Sequence, residues 1–285
     1  MTHHPNLGGN FTIGGDLPVH RLGFGAMQIT GRGIWGEPSG VDGARALLRR
    51  VVESGVNLID TADSYGPEVS ERLIGETLHP YPEDVVIATK GGLLRPGPGS
   101  WQPHCTPSHL RSACEESLKR LKVERIDLYQ LHTVDRKVPL EESIGALKEL
   151  QDEGKIRHVG VSNFSVSEIE RARKIVEIVT VQNLYNLGDR SSEDVLSYCE
   201  REGIGFIPWY PLGSGDLLSS SSLTEVAKMH ESTPAQIALA WLLHKSPVML
   251  PIPGTSSTEH FEENLGAGSI ELSAEEMSRI EKAGA

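Results

Sequence analysis

The chain has 285 residues, with 27 Lys+Arg against 39 Asp+Glu and a formal net charge of −12, which disfavours nucleic acid and anionic membrane as partners. No run approaches ~18 uninterrupted apolar residues, and the opening MTHHPNLGGN lacks the basic and apolar parts of a signal peptide, so a cytoplasmic protein is expected. Cys105, Cys114 and Cys199 are too few for a disulfide scaffold and lack a CxxC spacing for zinc; His3-His4 reads as a polar tail, and no metal site is expected.

In chain order, FTIGGDLPVH reads as a β-hairpin turning at Gly14-Gly15. Short Val/Ile-rich runs follow near Arg21–Met27, Asn57–Asp60, Val85–Lys90, Ile126–His132, Ile156–Ser162, Val179–Gln182, Gly205–Trp209 and Val248–Pro251. Helical periodicity separates them, as in Leu110, Cys114, Ser117, Leu118 and Leu121. Thr106-Pro107 and Thr233-Pro234 mark helix starts, and Ser167/Glu170, Ser222/Glu225 and Ser273/Glu276 have capping-box spacing. Eight strand–helix units in this length predict one (β/α)8 TIM barrel domain spanning 1–285, with the N-terminal hairpin and an extra C-terminal helix, SAEEMSRIEKAGA.

A barrel of this kind builds its site at the C-terminal ends of the strands and in the loops that follow. Long Gly/Pro-rich loops at Thr30–Gly40, Gly91–Pro107 and Pro211–Ser222 are expected to wall the mouth. Four chemistry-bearing residues share that rim: Asp60, Tyr65, Lys90 and His132. A phenol holds its proton near neutrality, and a neighbouring ammonium favours its release. Lys90 is therefore placed to activate Tyr65, with Asp60 pairing Lys90 and a neutral His132 donating to a substrate carbonyl oxygen.

DTADSY, ATKGG, LYQLH and VGVSNFS together resemble the aldo-keto reductase superfamily, over about Arg21–Gly284. The resemblance implies carbonyl reduction with a nicotinamide dinucleotide, with Asp60, Tyr65 (general acid), Lys90 and His132 as catalytic residues. It also implies a cofactor site. Gly25, Ala26 and Met27 would lie at the first strand's end, with Gly23 and Gly25 admitting the nicotinamide. Asp60, Ser162, Asn163 and Gln182 would surround the carboxamide, and Tyr210 would stack on the ring. Pro211, Leu212 and Ser214 would follow the pyrophosphate. Gly254, Thr255, Ser256, His260, Glu263 and Asn264 would hold the adenosine end. Well-known members carry Lys and Arg where this chain has Gly254 and His260; NADP(H) is expected ahead of NAD(H), with modest preference.

Trp35 and Trp101 are expected as substrate walls. GAMQ, GxxSWxP, ARKIxEIVxVQNxYN and IPGTSSxxHxxEN are similar to the bacterial pyridoxal reductase group, which implies pyridoxal as a candidate small-molecule carbonyl substrate. Two rival readings remain. Lys90 could form an imine in a Schiff-base aldolase, which would leave Ser162, Asn163 and Gln182 without a purpose. A cofactor-binding regulatory subunit would need a partner rather than an intact tetrad. GFGAMQ lacks the third glycine of a Rossmann fingerprint, and there is no P-loop.

Overall fold

The computed structural model describes residues 6–213 and 218–283. Its framework is a closed parallel barrel of type (β/α)8. Strands β1 (Asn10–Ile13) and β2 (Leu17–His20) form the expected hairpin, turning through Gly14 (φ +59°), Gly15 (φ +78°) and Asp16. A Cβ at Gly14 would lie 2.3 Å from the His158 ring, so this turn needs glycine for space as well as for dihedral. Ile13, Leu17 and Val19 plug the bottom of the barrel among inward-facing Leu58, Val86, Ala88, Leu128, Val179, Ile207 and Leu250. Burying each large aliphatic side chain in this way is worth about 1.5–3 kcal/mol. Asn57 fastens the plug, accepting from His20 N–H and donating to the carbonyls of Pro18 and Asp84.

The barrel strands are β3 (Phe24–Gly25), β4 (Leu58–Asp60), β5 (Val86–Gly91), β8 (Ile126–Leu131), β9 (Ile156–Ser162), β10 (Ile178–Leu184) and β11 (Gly205–Trp209). They pair in chain order, all parallel. The first and eighth strands differ from their sequence readings. The run Arg21–Met27 yields only two strand residues, because the chain turns at Ala26 into a 3-10 helix, Ala26–Ile29, whose Ala26 carbonyl accepts from Ser70 Oγ. Val248–Pro251 forms no continuous strand: Pro251 and Pro253 have no N–H to give a ladder. The segment nevertheless closes the barrel. Phe206 N–H donates to Val248 O, Leu250 N–H to Phe206 O, Gly23 N–H to Pro251 O and Gly25 N–H to Pro253 O.

Helices pack outside, and their caps correct three sequence assignments. The helix Val166–Ala172 starts at Ser165 with a capping box to Glu168, two residues before the Ser167/Glu170 pair. The helix Ser221–Met229 is capped by Ser220, not Ser222. Thr106 makes no side-chain cap, whereas Thr233 forms a full box with Gln236 and Ser273 with Glu276. In the two serine cases neighbouring serines offered several spacings, and the helix register selected one. The extra C-terminal helix, Ala274–Ala283, is present. No helix among the described residues is long and apolar enough to cross a membrane.

One element had no sequence signal. Inside the loop after β5, β6 (Leu93–Leu94) pairs antiparallel with β7 (Gln102–Pro103). This small hairpin stands over the barrel mouth with Arg95 at one shoulder and Trp101 at the other.

Candidate active site

The four residues come from the ends of three neighbouring strands and the turn after one of them, which is why residues far apart in sequence converge. Asp60 ends β4, Tyr65 lies in the turn after it, Lys90 is in β5 and His132 directly follows β8. All four are buried: Asp60 1%, Tyr65 7%, Lys90 0% and His132 7% exposed, so their charges interact in a weakly screened environment.

Lys90 Nζ donates to Asp60 Oδ1 at 2.6 Å, to Thr61 O at 2.8 Å and to Tyr65 Oη at 3.4 Å. Asp60 Oδ2 accepts from Gln130 Nε2 (3.2 Å) and Gln182 Nε2 (2.8 Å), so the carboxylate is fully engaged. Burial is the largest single influence and opposes the Lys90 charge, but Asp60 and Tyr65 together more than offset it and raise the pKa. Burial likewise pushes the Tyr65 phenol up, with Lys90 pulling it back down. The sequence predicts only the second effect, and in the folded protein burial is the larger. Tyr65 therefore carries its proton at neutral pH. His132 sits with its ring 6.0 Å from that of Tyr65, and burial and Lys90 hold its pKa well below the usual imidazole value. Ser64 Oγ lies 3.4 Å from His132 Nδ1; with the hydroxyl as donor, the neutral ring keeps its proton on Nε2.

These groups open into a cavity of about 590 Å³. Its lining includes Gly25, Met27, Asp60, Tyr65, Trp101, His132, Ser162, Asn163, Gln182, Tyr210, Pro211, Leu212 and Gly254, all named from sequence. Ser162 Oγ accepts from Asn163 and keeps its own proton for donation. Gln182 gives Nε2 to Asp60, and its Oε1 takes no hydrogen bond among the described residues. One free donor beside one free acceptor is the complement of a carboxamide. Asn163 is itself committed: Nδ2 donates to His132 O and Ser162 Oγ, and Oδ1 accepts from Trp209 Nε1. Two side chains here take left-handed backbone, Asn163 (φ +61°) and Tyr210 (φ +58°). The Tyr210 carbonyl is held by Asn186 Nδ2 and Gly213 N–H, and the ring is 53% exposed at the mouth.

Other sequence-named residues lie elsewhere. Ala26 is fully buried beside the mouth, outside the cavity lining. Gly25, in the cavity lining, and Gly23 also allow the barrel to close: a Cβ at Gly25 would meet Ile252 O at 2.6 Å, and one at Gly23 would meet Leu58 O at 2.9 Å. Trp35 does not line the cavity; its ring faces the Arg95 guanidinium at 5.6 Å. Thr255 Oγ1 accepts from Ser257 N–H, and Ser257 caps the helix Thr258–Leu265 through His260 N–H. Ser256 and His260 are exposed, Glu263 is half-buried and Asn264 is buried, all outside the cavity lining. Ser214 lies outside the described residues. Gln28, Leu93, Trp209, Gly213, Ile252 and Pro253 also line the cavity and were missed. For Trp209 a signal existed: it ends a strand, immediately before Tyr210.

An α/β barrel with a buried acid–amine–phenol–imidazole constellation at its C-terminal mouth defines a barrel enzyme equipped for proton transfer to a bound polar substrate. More narrowly, the chain belongs to the aldo/keto reductase family, whose sequence model matches residues 21–285, and it is an oxidoreductase of that family. An uncharacterised oxidoreductase of Schizosaccharomyces pombe is 49% identical over 95% of this chain and 88% of its own length. Pyridoxine 4-dehydrogenase of Escherichia coli is 42% identical over 95% of this chain and 96% of its own. The crystal structure of a Klebsiella pneumoniae aldo-keto reductase in complex with NADPH superposes with a TM-score of 0.83, at 29% identity, covering 96% of this chain and 94% of that one.

Proposed function

We propose that the protein reduces an aldehyde or ketone with NADP(H), Tyr65 acting as the general acid. The observation that carries this reading is Lys90 Nζ, held between Asp60 Oδ1 (2.6 Å) and Tyr65 Oη (3.4 Å) at the cavity floor. A nicotinamide dinucleotide bound along Ser162, Gln182 and Tyr210 would supply the hydride. His132 Nε2–H and Tyr65 Oη–H are placed to hold the substrate oxygen, and Tyr65 gives up its proton as charge develops there. Lys90 stabilises the phenolate left behind, and Asp60 keeps Lys90 charged. The same ion pair opposes an aldolase role, since an imine-forming lysine must lose its proton.

The substrate side of the cavity carries no Lys or Arg among its lining residues, and the Asp60 charge is offset by Lys90. Uncharged carbonyls are therefore expected. Pyridoxal, suggested by the pyridoxine 4-dehydrogenase relative, is the substrate we infer. Pyridoxal should exceed pyridoxal 5′-phosphate in kcat/KM by about tenfold or more, because the phosphate loses water without gaining a cation. Steady-state NADPH oxidation against a panel of aldehydes, including this pair, tests the reading. Absence of turnover with every aldehyde would overturn it, and parity between the pair would overturn the substrate class.

For the dinucleotide, Gly254 and His260 supply no fixed cation, and Glu262 is already paired with Arg50. Among the described residues the N–H groups of Thr258 and Glu259 have no hydrogen-bond partner at the helix start, which favours a phosphate. NADP(H) preference should be modest, and greatest at low salt. His260→Arg should tighten NADPH by about 1 kcal/mol in a fluorescence titration and leave NADH nearly unchanged. Equal tightening of both would show that this helix start does not hold the 2′-phosphate.

A further inference from the structure

Arg95 is 8% exposed, and it makes no ion pair among the described residues, although the chain has an excess of carboxylates. A buried cation without an anion is costly unless its polar groups are otherwise engaged. Each of the three Arg95 nitrogens donates to a backbone carbonyl, and the carbonyls come from three loops. Nη1 donates to Ser64 O at 3.1 Å, Nη2 to Gly33 O at 3.4 Å and Nε to Ser100 O at 3.0 Å. Its guanidinium also lies 3.7 Å from the centre of the Trp101 ring and 5.6 Å from that of Trp35. Trp101 in turn meets the Tyr65 ring edge-on at 6.4 Å.

We propose that Arg95 is a positioning residue for the reaction: one guanidinium ties the loops after β3, β4 and β5 together and seats Trp101 as the substrate wall over Tyr65. The inference rests on the carbonyl-reductase reading above. The Ser64 contact extends the effect to the tetrad, because Ser64 immediately precedes Tyr65 and its hydroxyl faces His132. Only a planar, five-donor head can reach three carbonyls while stacking between two indoles; a lysine ammonium keeps the charge and loses that geometry. Arg95 does not line the cavity, so it acts through Trp101 and Ser64 rather than on the substrate. The cofactor side of the cavity, at Ser162, Gln182 and Tyr210, receives no contact from it.

The test is a kinetic cycle on the full-length protein with NADPH and an aldehyde that the wild type reduces. Arg95→Lys should raise KM for the aldehyde by about tenfold or more, since a wall displaced by ~1 Å misplaces the reacting carbon. The NADPH dissociation constant should stay within about twofold of wild type, a split that general loosening of the fold would not give. Trp101→Leu should raise KM similarly, and Arg95→Lys/Trp101→Leu should be little worse than either single variant, because both remove the same wall. Should Arg95→Lys not fold, Trp35→Leu carries the test: Trp35 touches the guanidinium but not the cavity, so its replacement should still raise KM by about threefold through loss of a cation–π contact. Wild-type KM in Arg95→Lys, additive effects in the double variant, or wild-type KM in Trp35→Leu would each overturn the proposal. A wild type that turns over no aldehyde would instead refute the reductase reading on which it rests.

Discussion

Replacing Tyr65 with Phe is expected to lower kcat for aldehyde reduction by at least ~10²–10⁴-fold while leaving NADPH binding within about twofold of wild type. The ring stays and only the oxygen goes, so the edge-on contacts with Trp101 (6.4 Å) and His132 (6.0 Å) survive. In the wild type the phenol must be protonated to act as the acid. Because burial pushes its pKa up, the reduction rate should be level through neutral pH and fall only on the alkaline side. Oxidation of the corresponding alcohol needs the phenolate and should rise with pH over the same range. Single-turnover rates in both directions check this. A Phe variant within tenfold of wild type would remove Tyr65 as proton donor.

Lys90→Met is expected to cost activity on the same scale and to move the alkaline limb to higher pH. The ammonium is the main influence lowering the phenol pKa, so its loss leaves burial unopposed and makes Tyr65 a weaker acid. Stability should suffer as well. Asp60, 1% exposed, would keep two amide donors but no counter-charge, and breaking a buried pair in this way costs about 3–5 kcal/mol. The Lys90 pKa is raised in the folded state, so its contribution is complete at neutral pH and is lost only as pH rises above the ordinary lysine range. Denaturant midpoints at pH 7 should drop for Lys90→Met and recover in part for Asp60→Asn/Lys90→Met, which removes the stranded charge. An undisplaced pH profile, or a double variant less stable than the single one, would contradict this account.

Periodicity alone carried most of the framework. Val/Ile runs alternating with amphipathic helices specify a parallel barrel, and that class places strand C-termini around one mouth, so Asp60, Lys90 and His132 could be named together. Motif resemblance added Ser162, Gln182 and Tyr210, which line the cavity. Local signals failed where two solutions were degenerate. A serine run offers several capping registers, and only packing selected Ser165 and Ser220. Pro251 and Pro253 turned the last strand into a bonded but irregular seam.

The sequence by itself determined which groups exist and which strand end bears them, because side-chain identity and hydrophobic period are local properties. Tertiary structure decided what those groups can do. The sign of the Tyr65 shift depended on how much burial outweighs Lys90, a balance that no spacing encodes. The engagement of Asn163, the removal of Trp35 from the cavity and the gathering of three loops on Arg95 all depend on contacts between segments distant in the chain. Such contacts form only once the barrel has brought its loops to one face, since loop conformation follows from what the loop packs against rather than from its own residues.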